Sequence, residues 1–119
     1  MNEILLILVL FQIKHWYVDF VIQTTAQVNS KGKYGDLLGI IHSVEHGVYT
    51  FAVLSGVASL YVALIIGLFD IIIHYHIDWI KMNYGNRDIN DPKFWNHLGL
   101  DQMIHQICYI GYASVLLFY

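Results

Sequence analysis

Four apolar segments of this chain each carry two metal-competent side chains four positions apart: His15 with Asp19, His42 with His46, His74 with Asp78, and Asp101 with His105. That spacing stacks two side chains on one face of an α-helix, one turn above the other. Few folds can accept such a chain. Eight polar groups set into apolar helices must face one another across a shared interior, as in four-helix proteins that build metal sites from facing helices.

The apolar background settles which medium those helices need. Of 119 residues, 57% are hydrophobic and 13% charged, with a mean hydropathy of +0.53. Soluble domains carry about 25% charge, and a bilayer-spanning helix needs roughly 20 mostly apolar residues. The reading is therefore a single all-α transmembrane domain over residues 1–119, an integral-membrane four-helix bundle with helices at about 2–28, 37–56, 59–84 and 94–118. Between the first two lies Asn29–Asp36 (NSKGKYGD), a stretch of helix-ending residues. The long apolar run from Leu37 to Ile73 exceeds one span, and a tight turn is placed near Ser55, Gly56 and Ser59. Gly85–Lys93, with the only proline at Pro92, forms the last loop.

Antiparallel up-down order puts both ends of the sequence on one side. Lys31, Lys33, Lys81, Arg87 and Lys93 lie in or beside the first and third loops, so the positive-inside rule places loops 29–36 and 85–93 in the cytoplasm. Trp79, Tyr84, Phe94 and Trp95 fall at that interface. The opening MNEILLILVLF has an acidic start and no small-residue cleavage site, and reads as an uncleaved membrane helix. A net charge of −3 without a basic patch excludes nucleic acid as a partner. Cys108 is the only cysteine, so neither an internal disulfide nor a thiolate cluster is available. It reads as apolar filler.

Alternating helix direction sorts the eight residues into a tier nearer the loops (Asp19, His42, Asp78, Asp101) and a deeper one (His15, His46, His74, His105). Ionisable groups in a span cost at least about 2.5–3.5 kcal/mol each and mark function by default. Imidazole with carboxylate suits zinc, then manganese or iron, and tiers one turn apart suit one ion or a pair about 3.5–4 Å apart. His42, Glu45 and His46 also spell H-x-x-E-H, a motif whose glutamate is a general base. Catalytic roles therefore fall to Glu45, Asp19 and Asp78. Gln23, Asp70 and His97 extend the stripe as flanking groups, Lys14 reads as a snorkelling or packing lysine, and His76 points off the face.

The segments HWYVDFVIQT (His15–Thr24), HSVEH (His42–His46), HYHIDWIKMNYG (His74–Gly85) and LDQMIHQI (Leu100–Ile107) resemble a family of short bacterial and phage membrane proteins known as domain of unknown function 3307. More distantly they are similar to membrane-bound metal-dependent hydrolases. The resemblance implies a multi-pass protein of the bacterial inner membrane, encoded by a phage or prophage. The leading functional expectation is a metal-dependent hydrolase of an ester or phosphoester of a lipid-like substrate. Alternatives are a metal-ion or proton transport module, and a phage accessory protein with a structural metal that acts on a host or phage membrane partner. A haem carrier using the deep histidines fits poorly beside three aspartates. Expected partners are membrane lipids and, through Gly56, Gly67 and Gly111, a second copy of the chain.

Overall fold

The computed structural model of the protein describes residues 2–118, and among these the secondary structure is helical, without strands. Helix α1 (Asn2–Trp16) runs directly into a π-helical stretch, Tyr17–Val21, closed by the Ile22 N–H donating to the Tyr17 carbonyl at 3.0 Å. A short helix α2 (Thr25–Ser30), then α3 (Leu37–Ser55), α4 (Leu60–Tyr84) and α5 (Pro92–Val115) complete the chain.

The expected unbroken helix over 2–28 is not formed. Thr24 is extended and caps α2: its hydroxyl accepts from the Gln27 N–H, and the Gln27 side chain accepts from the Thr24 N–H. This reciprocal capping box stabilises a fresh helix start, and the chain turns at Ile22–Thr24 instead of continuing. The last helix likewise starts earlier than Phe94. Asp91 accepts from the Lys93 N–H at 2.9 Å, and Pro92 occupies the first helical position, where its missing N–H has no consequence.

α1 packs on α3 and α5, α4 packs on the same two helices, and α2 lies across α3. The tightest seam is α3 with α4. A Cβ on Gly47 would fall 2.7 Å from the Gly67 carbonyl oxygen and 2.2 Å from Ile71 Cγ1, so the two backbones meet where neither carries a side chain, a small-residue contact of membrane-helix type. Gly67, expected to serve self-association, is used inside the chain.

Polarity is inverted relative to a water-soluble domain. Leu5, Val9, Ile13, Phe20, Leu64, Leu68, Phe69, Ile72, Ile107 and Ile110 are exposed on the outside, whereas Lys14, Asp70 and all eight residues of the paired set are buried. Burying charge and exposing large apolar side chains is the wrong way round for water and the right way round for lipid. Three segments, Asn2–Val21, Leu37–Ser55 and Leu60–Tyr84, are long and apolar enough to cross a membrane. The interior divides along the helix axes. Toward the α3–α4 turn, Ile7, Phe11, Leu54, Ala63, Ile66, Tyr109, Tyr112 and Ala113 form an apolar core, in which Phe11 stacks on Tyr109 with ring centres 5.1 Å apart. Toward the two long loops the interior is polar.

Candidate metal centre

Each pair arrives on a different element: His15 and Asp19 from α1 and its π-helical extension, His42 and His46 from α3, His74 and Asp78 from α4, Asp101 and His105 from α5. The π-helical stretch matters locally. Its i→i+5 hydrogen bonding rotates Asp19 relative to a regular helix, and such insertions recur at functional sites. Asp19 Oδ1 thereby lies 2.7 Å from His46 Nε2, 3.0 Å from His42 Nε2 and 3.9 Å from His74 Nε2.

Two donor groups result. Asp19, His42, His46 and His74 each offer an atom within 4.8 Å of all the others, and so do His74, Asp78 and His105. In the second, Asp78 Oδ2 is 3.3 Å from His74 Nε2 and Asp78 Oδ1 is 3.4 Å from His105 Nε2. The rings of His46, His74 and His105 form a stack, with centres 3.5 and 4.0 Å apart. Donors around a tetrahedral zinc ion with bonds of about 2.0–2.1 Å are separated by roughly 3.3 Å, within the 2.7–3.9 Å that separates Asp19 Oδ1 from the three histidines.

Hydrogen bonding accounts for one of these contacts, His46 Nε2 with Asp19 Oδ1 at 2.7 Å, and not for the others. His42 Nε2, His74 Nε2 and His105 Nε2 are each within 3.3 Å of a carboxylate oxygen, yet none is aligned for a hydrogen bond, and His42 Nδ1, His74 Nδ1 and Asp101 Oδ1 also lack a hydrogen-bond partner. Buried polar atoms are nearly always paired. Lone pairs that converge on one region while missing one another are what a cation needs, so the residues fit a metal ion.

The groups cut across the two expected tiers. Asp19 and His42 from the loop-side tier join His46 and His74 from the deeper one, because imidazole reach spans the roughly 5.4 Å between turns. His15 and Asp101 stand outside both groups. His15 is committed through a directional chain. The Lys14 ammonium, which can only donate, donates to the Tyr109 hydroxyl at 3.1 Å. Tyr109 in turn donates to His15 Nδ1 at 2.8 Å. The His15 Nε2–H therefore faces Gln102 Oε1 at 2.6 Å and Asp19 Oδ2 at 3.1 Å. His15 thus orients Asp19 from behind. Asp101 Oδ2 accepts from Lys81 at 3.2 Å and from Gln102 at 3.1 Å, leaving Oδ1 toward His105.

Glu45 is half-buried behind His42, its Oε2 3.9 Å from His42 Nδ1 and 3.3 Å from Gln27 Nε2. Gln23 donates to the Asp19 carbonyl at 2.8 Å, and His97 accepts from the Asn86 N–H. His76 bonds Tyr34 outside the cluster.

Three lysines were not legible as parts of the site. Lys31, read as a loop cation, is buried with its ammonium 3.0 Å from Asp78 Oδ2. Lys81 pairs with Asp101. Lys14 does not snorkel: it is buried against Asp70 Oδ2 at 3.0 Å, and Asp70 is completed by Thr50 at 2.6 Å and Tyr112 at 2.9 Å. Asp36 caps α3 and takes the Ser30 hydroxyl, and these two hydrogen bonds, Ser30 first, hold its carboxyl below the usual carboxylate range.

Fold and site together define an all-helical protein with three helical segments long and apolar enough to cross a membrane and a buried His/Asp cluster that could hold a metal ion. The chain belongs to the family described as protein of unknown function (DUF3307), which matches residues 7–118. No curated protein and no solved structure matches it. The more distant similarity expected to membrane-bound metal-dependent hydrolases is not among these findings.

Proposed function

We propose that the chain is an inner-membrane, up-down four-helix bundle that holds one transition-metal ion, zinc first and manganese or iron next, and hydrolyses an ester or phosphoester of a lipid-like substrate. α5 is the fourth span: Leu100, Met103, Ile104, Ile107 and Ile110 face outward while Asp101 and His105 face the interior. Loops 29–36 and 85–93 lie in the cytoplasm, following their lysines and arginine.

The observation that carries the reading is the pattern of charge around the cluster. Asp70, Asp78 and Asp101 each have a lysine within 3.2 Å. Asp19, among the described residues, has histidines alone as its partners. A buried carboxylate without a cation is costly, and an ion held by Asp19, His42, His46 and His74 supplies the missing charge. A second ion in the His74, Asp78, His105 group would need Lys31 displaced.

A bound ion of this type would lower the pKa of a coordinated water and polarise the scissile group. The protein's own groups then divide the work. His74 belongs to both donor groups and would be one of the residues holding the ion. Asp78 lies beside it to accept a proton, with Lys31 holding the carboxylate in position. His15 and Glu45 orient Asp19 and His42 from outside. The transport alternative needs a polar path that continues to the other face, and the apolar core around Phe11, Leu54 and Ile66 favours a closed pocket instead.

The test is product release from short-chain phosphoester lipids in mixed micelles, with the zinc-loaded and the chelator-stripped protein. Hydrolysis that vanishes on stripping and in Asp78→Asn is expected. Metal-loaded protein that releases no product from carboxyl-ester or phosphoester lipids would overturn the hydrolase reading.

A further inference from the structure

The seam between α4 and α5 opens on the loop side into a groove of about 250 Å³. Ile77 and Ile80 line one wall, Leu100 and Ile104 the other, and Lys81 and Asp101 lie among them. We propose that this groove binds one anionic phospholipid from the loop-side leaflet, its phosphate on Lys81 and the upper part of one acyl chain between Ile80 and Ile104. The inference deepens the reading of the cluster as a lipid-directed metal site and rests on it.

Three features select this occupant. Polarity along the groove runs in the same order as in a lipid. Lys81 lies in the last turn of α4, at the level where headgroups meet the hydrocarbon, whereas Ile77 lies about one turn further in along α4, and Ile104 lies about 4.5 Å further in along α5 than Asp101, the partner of Lys81. Lys81 is also the more exposed of the two loop-side lysines, with a side chain 25% exposed against 5% for Lys31. Its ammonium can turn from Asp101 to a phosphate without leaving the groove. Third, the groove floor borders the centre. Asp101 is 4% exposed, and its Oδ1, which has no hydrogen-bond partner, lies 3.3 Å from His105 Nε2, next to the His74, Asp78, His105 group. A phosphate on Lys81 is thereby brought beside the donor cluster. The volume is below the roughly 300–1,000 Å³ of pockets that enclose a whole ligand, as expected where the remaining chain stays in the bilayer.

The experiment is native mass spectrometry of the detergent-purified protein titrated with dioctanoyl phosphatidic acid, with dioctanoyl phosphatidylcholine and inorganic phosphate as separate arms, and with bound metal measured on the same samples. The variants are Lys81→Gln and, on the exposed wall, Leu100→Trp. The expected result is a one-to-one phosphatidic acid complex that outlasts the choline lipid. Losing a charge-assisted contact should weaken it about tenfold or more in Lys81→Gln, and the indole should block it in Leu100→Trp, with metal content unchanged in Leu100→Trp. Equal binding of the two lipids, equal binding by free phosphate, or wild-type affinity in both variants would overturn the groove. Any of these with metal still bound would leave the metal reading standing. A protein without metal that still selects phosphatidic acid through Lys81 would do the reverse.

Discussion

At the residue scale the centre depends on which lone pairs are already engaged. His15 carries the same i, i+4 signature as His74, yet Tyr109, Gln102 and Asp19 use both its nitrogens, while His74 keeps both without a hydrogen bond. Spacing along one helix made the eight positions legible because burial and face follow from it. The partners that separate ligand from orienting group come from other helices, and no local pattern announces them. Tyr109→Phe should remove the donor to His15 Nδ1 and, through Asp19, weaken metal binding by about 10–100-fold, the usual effect of losing such an outer partner; competition with a chromophoric chelator measures this. Lys14→Met should leave Asp70 buried and uncompensated and destabilise the protein by about 3–5 kcal/mol. Unfolding in mixed micelles reads that loss, and the Lys14→Met, Asp70→Leu double variant should recover a large part of it.

At the element scale, the segments that depart from the sequence reading are the ones shaped by side-chain caps. The apolar periodicity carries past Val21, so a single helix to Val28 was the natural expectation, but Thr24-x-x-Gln27 is a capping box whose signal was present in the sequence and outweighs continuation. The resulting α2 hangs Lys31 over Asp78 and Gln27 over Glu45. Its junction with α3 should respond to pH. The Asp36 carboxyl is depressed in the folded protein by Ser30 and the Leu38 N–H, so its contribution is fully present above the unfolded carboxylate pKa of about 3.9 and disappears as pH falls through the lower folded value. Amide exchange of Leu38 and Gly39 should accelerate in that acidic window, and Asp36→Asn should show the fast rate at neutral pH. In the α3–α4 seam, Gly47→Ala would drive a methyl group against the Gly67 carbonyl and should destabilise by about 1–3 kcal/mol, whereas Gly111→Ala, where a Cβ meets nothing within 4 Å, should be neutral. Thermal unfolding of the pair separates them.

For the whole molecule, the controlling fact is a polar interior inside an apolar exterior. Composition made the membrane setting legible, and the paired residues made the site legible, because a bilayer leaves ionisable groups few places other than the interior. The lysines were harder to place. Loop lysines usually remain in water, and only the way α2 folds back and α4 ends brings Lys31 and Lys81 to Asp78 and Asp101. Those pairs are what reduce the expectation from as many as two ions to one at Asp19. The most direct test is elemental analysis of detergent-purified protein after loading with zinc, manganese or iron, beside the His46→Ala, His74→Ala double variant. One equivalent of metal per folded chain, absent from the double variant, is the expected result. Well-folded wild-type protein that retains none of the three metals, or a double variant that retains as much as the wild type, would contradict a metal centre at Asp19, His42, His46 and His74.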